Sequence, residues 1–407
     1  MANMNGRPMT INRFHSNRIF RQLLPLVLMV VCASLATVGQ TISSPLFGSE
    51  VDKAPAESWP LFRGTPNSTG VSASDLPESP EVLWRYVVEN GSFDATAVIS
   101  QGVAFLGDYD GTIHALDLGD GSLKWKRERE TLFLAAAAVR DGLLYIGDAD
   151  GRFYCLRTSD GKPVWSMETK AEINSSPNFY KENVIVGSQD SMLYCMNAKT
   201  GEEVWTHTIN DQIQCSPTVV ENRCFLAGCD GRLHVIDLDK GEEVNQVVTR
   251  AEGRSTPAVL GNLAFFGSYR DTVFGVDWKK GEILWQYRNP RRRFPFHSSP
   301  ALAGNLVIIG GNDKLVHGIN QETGESVWTF STRRSVEASP VIVGDRVFIG
   351  AEDGRVYGLD LKTGKLTWSY EAGGAFVASP AIASGRMVIA NTDGIVYCFG
   401  KNNQQAE

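Results

Sequence analysis

From residue 82 onward, short apolar runs rich in Val, Ile, Tyr and Trp are parted by polar turn pairs, and no window sustains a helical period. One unit shows the grammar. LAAAAV (134–139) is followed by LLYIGD (143–148), RFYCL (152–156) and PVWSM (163–167), with Asp-Gly or similar pairs between them. Such runs predict four antiparallel strands joined by hairpins.

The unit repeats. Glycine followed four residues later by tryptophan occurs at Gly121/Trp125, Gly161/Trp165, Gly201/Trp205, Gly281/Trp285, Gly324/Trp328 and Gly364/Trp368, and Gly241/Asn245 is a variant copy. The spacing is about 40 residues, with one longer interval before Trp328. An Asp or Asn four residues before the glycine (Asp117, Asn197, Asp237, Asp277, Asn320, Asp360) predicts a tight turn, in which the side chain bonds the backbone and glycine takes positive φ. The tryptophan offers a flat surface to the next unit. Proline recurs in the first strand of six units, at Pro177, Pro217, Pro257, Pro300, Pro340 and Pro380. Proline cannot donate to a ladder, so that strand belongs at a sheet edge, lining a central channel. The Ser or Thr before each proline reads either as part of a ligand ring or, more simply, as a local turn cap.

Four-stranded units repeated at this period predict an all-β fold, an eight-bladed β-propeller of antiparallel blades. The last copy, 376–400, lacks its outer strand, and VLWRYVV (82–88) is an outer strand with no copy before it. The expectation is that the N-terminal strand closes the last blade, so that the domain spans 82–400 with no exposed sheet edge. Residues 401–407 are expected to be a disordered tail.

Composition changes the picture only at the N-terminus. Arg7, Arg13, Arg18 and Arg21 precede an apolar run from Leu23 to about Val38, with no acid in the first 39 residues. Residues 1–39 therefore read as a secretory signal peptide, with an uncleaved anchor as the alternative. Residues 40–81 read as a linker and lead-in. Without the four arginines the 39 basic residues fall to 35 against 46 acidic ones, and the net charge moves from −7 to −11. That balance argues against nucleic-acid binding. Cys32 lacks the small preceding residue that lipidation uses, and no CxxC supports a metal or redox site.

The segment DLKTGKLTW (360–368), with MNAKTGEEVW and the lead-in WPLFRGTPNSTGVS (59–72), resembles the repeat of the pyrroloquinoline quinone (PQQ) propellers. The resemblance implies one of two classes. Quinoprotein dehydrogenases bind PQQ and calcium and usually carry adjacent cysteines, which are absent from this sequence. BamB-like propellers of the bacterial envelope are scaffolds without a cofactor. Length and short loops favour the second class: no enzyme, no catalytic residue, no metal and no bound cofactor, with PQQ as the less favoured alternative. The resemblance further implies export to the periplasm or cell envelope and a protein partner. Membrane association would then run through that partner or an uncleaved N-terminal segment.

Other motifs carry little chemistry. Asp108-x-Asp110-Gly111 and Asp148-x-Asp150-Gly151 are fragments of calcium loops without the closing glutamate, and tight turns account for them. His114, His234 and His317 share a repeat position with Tyr154, Tyr194, Tyr357 and Tyr397, and so read as strand residues. The strongest candidate is basic. Three consecutive outer-strand loops carry Arg250 and Arg254, then Arg288, Arg291, Arg292 and Arg293 with Phe294, Phe296 and His297 in the only insertion, then Arg333 and Arg334. Arginine with aromatic residues is the composition of interface hot spots. This set is expected to bind a partner through an acidic segment.

Overall fold

The innermost strand of every blade meets one stretch of chain, the lead-in, and that contact organises the molecule. The computed structural model describes residues 51–402, and the expected signal peptide, Cys32 and most of the tail lie outside them. Blade one spans 98–128, blade two 138–168, blade three 178–208, blade four 218–248, blade five 258–287, blade six 301–331 and blade seven 341–371. Each is a four-stranded antiparallel sheet in chain order. Blade eight takes three strands from 381–400 and its fourth from Glu81–Val87, which pairs with Ile395–Gly400 in the register Trp84↔Cys398. The expected closure is present, and no helix occurs among the described residues.

Two latches join successive blades, and both follow from the repeat. On the outside, the Trp84, Trp125, Trp165, Trp205, Trp285 and Trp328 indoles donate to carbonyls of the next blade at 2.8–3.0 Å. In blade four Asn245 stands in for tryptophan, and its amide makes the equivalent bond to Trp278 O at 2.6 Å. Each of those six indoles lies against the turn glycine of the next blade; a Cβ on Gly201 would sit 2.6 Å from Trp165. Glycine is thus required twice, for φ +75° and for the close approach. The Asp and Asn residues of those turns accept backbone N–H groups, as Asn197 does from Lys199 and Thr200.

On the inside, the Ser/Thr position is not a local cap but a link from one blade to the next. Ala136 N donates to Ser176 Oγ, Ser176 N to Ser216, Ser216 N to Thr256, Thr256 N to Ser299, Ser299 N to Ser339, Ser339 N to Ser379 and Ser379 N to Thr96, all at 2.8–3.1 Å. The hydroxyls are blade-to-blade links. At the eighth junction, between Thr96 and Ala136, alanine has no hydroxyl to offer. The first strand of blade two is Ala138–Arg140, three residues like every other inner strand and not the six the apolar run suggested.

The edge of the inner strands, expected to be unpaired, is partly satisfied by the lead-in. Carbonyls of Trp59, Pro60, Pro66, Asn67, Thr69 and Gly70 accept from Ile99, Val139, Val219, Val259, Leu302 and Ile342 in blades one, two, four, five, six and seven. Asn178 of blade three donates to Pro66 O, and Ser384 N after the first strand of blade eight donates to Ala56 O. Val71–Ser72 adds a short parallel strand to blade seven. Arg63, 1% exposed, donates through Nη2 to Pro300 O at 3.1 Å and Pro340 O at 2.6 Å. From residue 51 the lead-in is therefore a plug across one end of the channel, part of the same compact unit as the blades.

The six described cysteines are free thiols. Burial pushes Cys155, Cys195, Cys215 and Cys398 up to about 12, so they fill strand cores as small apolar groups.

Candidate functional site

With one end plugged, the channel opens only at the other. Each loop from an outer strand to the next inner strand descends to the axis, and two residues before the latch position it presents one side chain to the mouth. The eight are Asp94, Leu134, Asn174, Gln214, Arg254, His297, Glu337 and Val377. They enclose about 190 Å³. Below them lie the latch residues, with Phe62 of the plug also lining the channel.

The mouth is electrically mixed. Glu337 accepts from His297 Nδ1 and Asn312 Nδ2, both at 3.1 Å, and the His297 contact leads in holding its carboxyl below the usual range. The His297 ring stands edge-on to Tyr269 at 4.8 Å, whose hydroxyl donates to Gln214 at 3.1 Å. Asp94 has no such support: burial, and then the Glu337 carboxylate, push it up, while Arg254 works in the opposite direction. The Oδ1 of Asn174 and the Nε2 of His297 are buried without partners.

The basic loops border this mouth on blades five to seven, beside the turns between second and third strands. The Arg288 side chain donates to Thr272 Oγ1 at 2.8 Å and lies 3.6 Å from Asp271, and Arg293 reaches the same carboxylate at 3.9 Å while remaining 80% exposed. Arg292 donates to Asp313 O at 2.8 Å, and Asn289 anchors the loop on the Asp313 carboxylate at 2.6 Å. Arg250, Arg291, Arg333 and Arg334 are exposed, as is Phe294. The expected set therefore divides. Arg254 and His297 belong to the mouth. Phe296, expected at the partner surface, is 1% exposed, between Tyr287 and His317. Phe296 takes the repeat position that Phe133 and Phe376 fill in other loops, one residue before the mouth side chain and against a strand glycine, here Gly267. Burial there stabilises it by about 2–3 kcal/mol, more than surface contact offers.

Sequence reasoning missed Asp94, Asn174 and the role of Glu337. Counting two residues back from each Ser/Thr would have found them, but the eight identities all differ, so no repeated letter marks the ring.

The remaining motifs are structural. Asp108 Oδ1 accepts from Asp110 N and Thr112 N, and Oδ2 contacts His114 Nε2 at 2.7 Å. Asp148 repeats this with Tyr154 OH at 2.8 Å, so His and Tyr at that position are interchangeable partners of a turn carboxylate. Among the described residues no group of three His, Cys, Asp or Glu is placed to hold a metal ion.

The family model described as outer membrane protein assembly factor BamB matches residues 109–213, 189–320 and 312–404. The chain belongs to that family. Among curated proteins none matches. Similar solved structures include BamB from Moraxella catarrhalis (19% identity, TM-score 0.68, covering 80% of this chain and 98% of that one). The quinohemoprotein alcohol dehydrogenase from Comamonas testosteroni is similar at 14% identity and TM-score 0.73, over 85% of this chain and 81% of that one. Sqt1 from Saccharomyces cerevisiae is similar at 15% identity and TM-score 0.69, over 80% and 100%. At such identities the likeness shows the fold, which BamB and dehydrogenase share. Toward PQQ, an acidic fused-ring quinone, the mouth ring offers one guanidinium against two carboxylates, with the His297 imidazole as its single aromatic ring, and this charge balance does not fit it.

Proposed function

We propose that this protein is a non-catalytic scaffold of the cell envelope that holds a protein partner on the basic loops of blades five to seven. The observation that carries the reading is the set of exposed arginines, Arg250, Arg291, Arg293, Arg333 and Arg334, on three successive loops, with exposed Phe294 in the middle one, on an acidic chain. A guanidinium fork matches a carboxylate bidentately, so the partner segment is acidic. Asn289 and Arg292 fix the loop to Asp313, which reduces the ordering cost of binding. Membership of the BamB family supports an envelope location and a protein–protein role.

The test is crosslinking capture from intact host cells. Changing Arg291, Arg292 and Arg293 to Glu should abolish capture of the partner that the unmodified protein holds, with nearly the same melting temperature. Undiminished capture would overturn the basic-loop assignment. Quinone absorbance and dye reduction by purified protein given PQQ and calcium would instead favour the dehydrogenase reading.

A further inference from the structure

Two opposite charges at the channel mouth have no partner. Neither the Asp94 carboxylate nor the Arg254 guanidinium makes a hydrogen bond or close ion pair with another described residue, whereas Glu337 is tied to His297 and Asn312. In a ring of eight, blade one and blade five lie opposite, so Asp94 and Arg254 face each other across the axis. Asn174, from blade three, presents an unpartnered carbonyl oxygen between them. The Asp94 carboxylate is partly buried and Arg254 is exposed at the rim. A partly buried charge without a partner costs stability, and such a group is retained where something completes it.

We propose that the mouth binds a small zwitterion, an α-amino acid, with its ammonium on Asp94 and Asn174 and its carboxylate on Arg254. A simple cation would leave the Arg254 guanidinium without a hydrogen-bonded partner, and a simple anion would do the same to Asp94. A ligand carrying both charges a few bonds apart answers both groups at once. The enclosed volume of about 190 Å³ fits it, being roughly six times the ~30 Å³ share of one water in the liquid. Leu134 and Val377 supply the apolar part of the wall, suited to a short aliphatic side chain. The site is separate from the protein-partner reading: of the loop arginines it uses only Arg254, which that reading does not.

Titration calorimetry on the full chain tests this with glycine and L-alanine as ligands, ethylamine and acetate as single-charge controls, and dialanine as a peptide. Glycine or alanine should give saturable heat and the two controls none; saturable heat from dialanine alone would assign the same chemistry to peptide ends. Asp94→Asn and Arg254→Gln should each weaken binding about tenfold or more, the loss expected for a hydrogen bond to a charged group. Exchanging the two charges in one Asp94→Arg, Arg254→Asp variant should restore binding relative to either single reversal. Absence of heat from every zwitterion, equal binding of the controls, or unchanged affinity in both single variants would overturn the proposal. Cooperative melting of each variant confirms that it is folded, and if one is not, the ligand comparison on the unmodified chain decides.

Discussion

The backbone N–H of Ser379 donates to the hydroxyl of Thr96 at 3.0 Å, joining residues 283 positions apart and closing the inner ring of blade links. That ring has a defect at Ala136, where the acceptor for Thr96 is missing. Ser339→Ala should remove the acceptor of Ser299 N and cost ~1–3 kcal/mol, because the orphaned N–H is buried. Ala136→Ser should supply the eighth link and add up to ~1 kcal/mol. Urea denaturation of the two variants measures both, and equal stability in both would show that the hydroxyls do not bind the blades together.

Trp84 carries the closure on the outer side. It is 8% exposed, donates to Leu118 O in blade one at 3.0 Å, and lies on Gly121. Trp84→Ala should cost ~3–5 kcal/mol, the usual loss for a large buried aromatic. Deleting 82–88 should go further and expose the edge of Ile395–Gly400, giving association visible by light scattering. A monomeric deletion variant with unchanged melting would contradict the closure.

What could be read from the sequence was what physics demands in every copy. A positive φ, an indole seated on a bare Cα and an Asp- or Asn-capped turn each admit few residue types, so glycine, tryptophan and aspartate recur and count the blades. The plug occurs once and has no period, so its Trp59–Gly70 carbonyls, which span seven inner strands directly, left no pattern. The mouth residues are free to differ because they line the channel opening and not a packed core. Phe296 was misplaced because composition alone cannot tell an aromatic that anchors a loop from one that greets a partner.

The glycine requirement can be separated into its two causes. Gly201→Ala must strain a φ of +75° and push against the Trp165 ring, only 2.6 Å from the new Cβ. Gly281→Ala meets a similar φ of +73°, but its neighbour is Asn245 at 3.5 Å. The second should cost only the backbone term, ~1–2 kcal/mol. The first should cost at least about twice that, since crowding a packed contact adds ~1–3 kcal/mol. Equal losses in denaturant midpoint would mean that the indole contact contributes nothing to the choice of glycine.

The two mouth carboxylates should shift stability with pH in opposite directions. Glu337 is held below its ordinary 4.5, chiefly by His297, so its ionised form favours the fold. That contribution is present above about pH 4.5 and is lost as pH falls through the lowered value. Asp94 is pushed above its ordinary 3.8 by burial and then by Glu337, so its ionised form opposes the fold. That penalty is present above the raised value and vanishes below 3.8. At pH 7, therefore, Glu337→Gln should lower the melting temperature and Asp94→Asn should raise it; the Asp94 difference should vanish below pH 3.8, and the Glu337 difference should shrink as pH falls below 4.5. The double variant should fall short of additivity, because removing the Glu337 charge already relieves part of the strain on Asp94. An Asp94→Asn variant that melts lower than the unmodified protein at pH 7 would show that its carboxylate is satisfied in the free protein, and would remove the reason for a ligand to complete it.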